Sequence, residues 1–184
     1  MVVFTHQPFY SMLLFLNDDN ESVESLYYPL YAAILFYWFL PNRLYKVCPQ
    51  WTVPDTLKSI DLTVTFLVEH RVRPLLLVEI KPPSAFHEDG KRGDAIRQVM
   101  IRLDEVGPHN VYPRLYAISA IGKRWMACYS VGSNGSRRGR SVRGIAEESS
   151  LRSARAECWN PDVTSDVSWE ALRRIVETIR SYVE

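Results

Sequence analysis

Asp61, Glu79 and Lys81 carry the side chains whose types and spacing point to chemistry. They stand as Ser-Ile-Asp at the start of one apolar run and Leu-Leu-Leu-Val-Glu-Ile-Lys at the end of the next. Two carboxylates and one ammonium gathered at one end of a sheet can hold a divalent cation and polarise a phosphate. Taken singly, each residue has a plainer explanation. An Asp at a strand start is a common turn residue, and Glu-x-Lys at a strand end is a common solvated pair. The joint case is stronger, because Glu79 and Lys81 close a run of Leu75, Leu76, Leu77 and Val78 that reads as a central strand buried on both faces. Charges set on the end of such a strand are positioned by the core.

The elements that must position them follow from the pattern. Two runs, roughly 60–69 and 74–81, flank the polar stretch His70-Arg71-Val72-Arg73, the signature of a β-hairpin. A turn centred near residues 71–72 sets Asp61 across from Lys81 or its neighbour, and the two-residue spacing sets Glu79 and Lys81 on one face. A helix is predicted over roughly 21–39, a strand near 43–48, a second helix near 93–106, and strands at about 114–120 and 124–131. Ile96, Val99, Met100, Leu103 and Val106 give the second helix its buried face. Asp18, Asp19, Asn20 and Glu21 would cap the first helix, inside which Pro29 is awkward.

Asp61, a gap of about eighteen residues, then Glu79-Ile80-Lys81 resembles the motif of the PD-(D/E)xK phosphodiesterase and nuclease superfamily. The α-β-β-β-α-β order over about residues 20–131 resembles its restriction-endonuclease-like fold. Pro54-Asp55 spells the family's name more literally, but it falls about six residues before the hairpin strand and out of register with Glu79. Asp61 is the better candidate. The resemblance implies an α/β domain with a central mixed β-sheet flanked by helices. It further implies Mg²⁺ or Mn²⁺ held by Asp61, Glu79 and the backbone carbonyl of Ile80, with Lys81 beside the attacking water and the scissile phosphate. A Glu from the first helix often joins such sites. Glu24 is the better placed and Glu21 the lesser candidate, although both also complement a helix start. Gln98 matches a position that supports the site or a phosphate in similar nucleases, although an ordinary surface glutamine is the favoured reading of the residue itself. Arg97 and Arg102 are candidate phosphate grips or simply solvated arginines.

Composition fits one domain over residues 1–184: the chain is long enough for a substantial core, and 47% of its residues are hydrophobic. A formal net charge of +1 makes the whole protein no electrostatic magnet for nucleic acid. Cys48, Cys128 and Cys158 are widely spaced and form no metal-type pairs, as expected of a reducing compartment. With histidines scattered at 6, 70, 87 and 109, no zinc site is expected.

Met12–Leu16 is too short for a signal h-region, and Leu26–Leu40 falls short of a membrane span. A helix packed on the sheet and an intracellular location are therefore expected, with a membrane-associated helix as the alternative. The short segment before that helix leaves room for the chain to be part of a longer protein. Residues 132–150 read as a flexible basic loop in which Arg137, Arg138, Arg140 and Arg143 either contact a nucleic-acid backbone or merely solvate a linker. The chain closes with an amphipathic helix over about 168–183, with Ser168 as its N-cap.

The leading expectation is a metal-dependent nuclease acting on DNA, and similarity to paired nucleases makes a homodimer plausible. Its rivals are a non-cleaving nucleic-acid binder on the same fold, a protein-interaction module built on the aromatic first helix, and an unrelated α/β domain.

Overall fold

A computed structural model describes residues 16, 22–40, 44–54, 56–68, 71–131, 142–144, 156–159 and 161–183. The expected N-terminal caps at 18–21, Asp55, His70 and the arginines at 137, 138 and 140 lie outside these residues.

Among the described residues six strands form one sheet in sequence order: β1 (Tyr45–Thr52), β2 (Ser59–Val68), β3 (Arg71–Lys81), β4 (Arg114–Ile121), β5 (Arg124–Val131) and β6 (Val142–Gly144). Every neighbouring pair is antiparallel except β3 and β4, so the sheet is mixed. The parallel step needs a long crossover, which α2 (Asp89–Val106) supplies. Helices α1 (Tyr28–Trp38) and α3 (Asp166–Arg180) pack on the opposite face. Two cores result. Leu30, Ile34, Leu35, Ile175, Val176 and Ile179 meet Leu76, Val78 and Ile80 on one side, while Ile96, Val99 and Leu103 meet Leu77, Ala117 and Trp159 on the other. This is the expected α/β architecture, a mixed sheet between helices with a helix at the C-terminal end.

Burial on both faces makes β3 the central strand, with every residue from Pro74 to Ile80 buried. The hairpin register differs from the expected one. Arg71, Val72 and Arg73 belong to β3 and pair with Val68, Leu67 and Phe66, so the turn falls earlier than residues 71–72. A register shift between Val64 and Thr65 also intervenes. Leu62 pairs with Val78, and one step further that register sets Asp61 against Glu79 instead of Lys81. Polarity misled here, because β-branched Val72 between two arginines extends a strand as readily as it forms a turn.

The first helix is shorter than expected. A 3₁₀ turn over Glu24–Tyr27 precedes α1, leaving Pro29 in its first turn. A missing N–H costs nothing there, since that donor has no intrahelical partner. The second helix starts at Asp89, earlier than the expected 93, with Glu88 as N-cap after a 3₁₀ turn over Pro83–His87. At the C-terminal helix Ser165 is the N-cap, not Ser168: Ser165 Oγ accepts from the Ser168 N–H at 3.2 Å. Ser168 is buried one turn in, accepting from Trp125 Nε1. Val142–Gly144 of the expected basic loop add strand β6 to the sheet. Among the described residues no helix is long and apolar enough to cross a membrane.

Gly122, in the β4–β5 turn, has φ +58° and lies so close to the Pro83 ring that an added Cβ would sit 2.8 Å from it. Its N–H donates to the Lys81 carbonyl at 3.0 Å, fixing this turn to the end of β3.

Candidate active site

The site forms where β2 and β3 separate. Strand pairing ends at Leu62 and Val78, and beyond it the Ile80 N–H donates to Asp61 Oδ2 at 2.8 Å. A side chain thus replaces a backbone acceptor at the end of the ladder. This locks the Asp61 carboxylate between the two strands.

The 3₁₀ turn brings a second carboxylate. Tyr28 Oη donates to Glu24 Oε1 at 2.6 Å and lies 3.3 Å from Asp61 Oδ1. One hydroxyl carries one proton, so the shorter contact takes it and Asp61 Oδ1 keeps capacity for another partner. Burial, the bond to Glu24 and the charge of Asp61 raise the Tyr28 pKa far above its ordinary value, so the hydroxyl stays a donor. Lys81 Nζ lies 3.8 Å from Glu24 Oε2, completing a chain from the 3₁₀ turn to the end of β3.

Glu79 is 2% exposed and held from α2. Gln98 Nε2 donates to its Oε2 at 2.7 Å and Arg102 Nε to its Oε1 at 2.8 Å. Gln98 and Arg102 lie one helical turn apart and so share a face. Arg102 also donates to the Ser59 carbonyl at 2.8 Å and to Glu105 Oε2 at 3.0 Å. Burial, then the neighbouring Asp61 charge, pushes the Glu79 carboxyl up from 4.5 to about 7, against the pull of Arg102 and Lys81.

The structure therefore brings together Asp61, Glu79, Lys81, Ile80, Glu24 and Gln98. Arg102, a candidate phosphate grip in the sequence, has its guanidinium committed to Glu79, Glu105 and Ser59. Arg97 points outward to Asp94 at 2.5 Å. The sequence reasoning missed Tyr28 and the anchoring role of Arg102. Spacing held both signals: Tyr28 follows Glu24 by four residues, and Arg102 follows Gln98 by four.

Among the described residues no group of three or more His, Cys, Asp or Glu side chains is placed to hold a metal ion. Hard oxygen donors nonetheless suit Mg²⁺ or Mn²⁺, and Mg²⁺ commonly takes only one or two protein carboxylates, with water and substrate phosphate completing its shell. Asp61, with one lightly engaged oxygen, and Glu79 fit that pattern. Both oxygens of Glu79 already accept from Gln98 and Arg102, and those of Glu24 face Tyr28 and Lys81, so either carboxylate would meet a cation through its remaining lone pairs.

No family model matches the chain, and no curated protein matches it. Among solved structures it is similar to the type IIG restriction endonuclease BpuSI at 15% identity and a TM-score of 0.46, over 99% of this chain and 18% of that one. This chain thus spans less than a fifth of that enzyme's length, and so distant a likeness carries no functional weight.

Proposed function

We propose that this chain is a metal-dependent nuclease of the PD-(D/E)xK type, hydrolysing phosphodiester bonds in DNA. One observation carries the reading: Asp61, Glu79 and Lys81 converge where two central strands part, each fixed by a partner from a different element. Asp61 and Glu79, with the Ile80 carbonyl, would hold Mg²⁺ or Mn²⁺. The chemistry such an ion supplies when bound is a more acidic water and neutralisation of phosphate charge.

The chain's own residues do the rest. Ile80 N–H orients Asp61, and Arg102 and Gln98 orient Glu79. Lys81 lies beside Glu24, and its ammonium is suited to stabilise charge developing on the phosphate. Glu24 steers the ammonium through its 3.8 Å contact. The test is cleavage of single- and double-stranded DNA with Mg²⁺ or Mn²⁺, beside Lys81→Ala. Cleavage by the parent and not by the variant is expected. No cleavage by the parent with either ion would sink the proposal.

A second reading, a binder on the same fold that does not cleave, draws on the Arg102 contact, which already gives Glu79 a cation. In that case DNA is bound with no effect of either metal on affinity.

A further inference from the structure

A cleft of about 260 Å³ opens beside the Lys81 end of β3, lined by Tyr27, Phe86, His87, Lys123, Arg124 and Asp162 among others. It adjoins the site at two points. Gly122, next to Lys123, bonds the Lys81 carbonyl, and Tyr27 belongs to the same 3₁₀ turn as Glu24.

Its chemistry is that of an anion receptor with an aromatic wall. The Arg124 guanidinium lies 4.7 Å over the Phe86 ring. Such stacking uses the face of the guanidinium and leaves its edge N–H donors free. No carboxylate among the described residues pairs with Arg124 or Lys123. Asp162, the cleft's carboxylate, turns its Oδ1 to the Thr164 N–H at 2.8 Å and the Thr164 hydroxyl at 2.6 Å. Phe86 is itself fixed: Arg92, 8% exposed, donates to its carbonyl and to Asp89, and lies 6.0 Å from the ring centroid. Arg124 is thus presented on a platform that the fold holds in place.

Resting on the nuclease reading, we infer that this cleft receives one nucleotide of a single strand, flanking the phosphate at Lys81. Its phosphate meets Arg124 and Lys123, and its base or sugar meets the Phe86 wall. A space this small takes a single nucleotide and not a duplex, so the preferred substrate presents an unpaired segment or end there.

The test is equilibrium binding, in magnesium-free buffer, of a labelled oligodeoxythymidylate and of a blunt duplex of equal length. The proteins are the full chain and its Lys123→Gln, Arg124→Gln and Arg124→Lys variants. Each Gln variant is expected to weaken single-strand binding about tenfold and to lower the salt slope by about 0.7. Duplex affinity moves less than about twofold. Arg124→Lys keeps the salt slope while losing affinity, because a lysine cannot stack as the guanidinium does. On the unaltered chain, thymidine 5′-monophosphate competes with the oligonucleotide. Unchanged single-strand affinity, equal loss on both probes, or no competition at millimolar nucleotide would each overturn the assignment. The two readings fail separately: a chain that binds through the cleft but never cleaves loses only the nuclease reading, and one that cleaves with cleft variants unaffected loses only the cleft.

Discussion

Glu79 carries a sharp conflict, a carboxyl almost wholly buried beside another carboxylate and relieved by the Arg102 guanidinium, the Gln98 amide and the Lys81 charge. Its pKa is raised on folding, so the stability it contributes is full below about pH 4.5 and is lost as pH climbs through about 7. Glu79→Gln removes that loss. The variant's stability relative to the parent should grow between these limits, by on the order of 3 kcal/mol, and then level off. Urea unfolding across the range checks this, and a constant difference would show that burial does not set the Glu79 equilibrium. At this scale the sequence was partly legible. A two-residue spacing announced Glu79 and Lys81, but the partners of Glu79 come from a helix whose rotation only packing decides. Arg102 looked solvated because helix arginines commonly extend into water, yet its own turn of helix faces the sheet.

Elements were more legible than their joints. β4 and β5 follow from predominantly apolar runs and appear within a residue or two of their expected bounds. The hairpin register did not, since Arg71 and Arg73 are equally compatible with a turn and with a strand end. Ser165 and Ser168 pose the same problem: both types cap helices, and only the burial of Ser168 against Trp125 decides between them. The β4–β5 turn depends on Gly122. Gly122→Ala meets both a positive φ and the Pro83 ring, and should lower stability by about 1–3 kcal/mol. Thermal unfolding reads the effect, and an unchanged midpoint would mean that the turn repacks without strain.

Taken whole, the molecule brings residues 24, 61, 79, 98 and 102 to one end of the sheet from two helical elements and the central hairpin. Near-neutral net charge gives little long-range attraction for nucleic acid, so any binding draws on local groups. Under the proposed function, a two-carboxylate site completed by phosphate would make metal and nucleic acid bind together. Calorimetry should therefore find Mg²⁺ weak on the free chain and tighter by about tenfold or more with a non-cleavable DNA analogue present, as reciprocal linkage requires. Equal Mg²⁺ affinity in both states would remove the substrate phosphate from the metal's shell.

The Ile80 N–H has a further consequence. Its acceptor is a side chain whose electron density changes with whatever binds it, whereas the backbone amides around it answer to fixed carbonyls. Its proton resonance is therefore an indicator wired to Asp61. In a nitrogen-15 correlation spectrum it should shift ahead of its β3 neighbours as Mg²⁺ is titrated in, and stand still in Asp61→Ala. A peak that never moves would place the cation elsewhere.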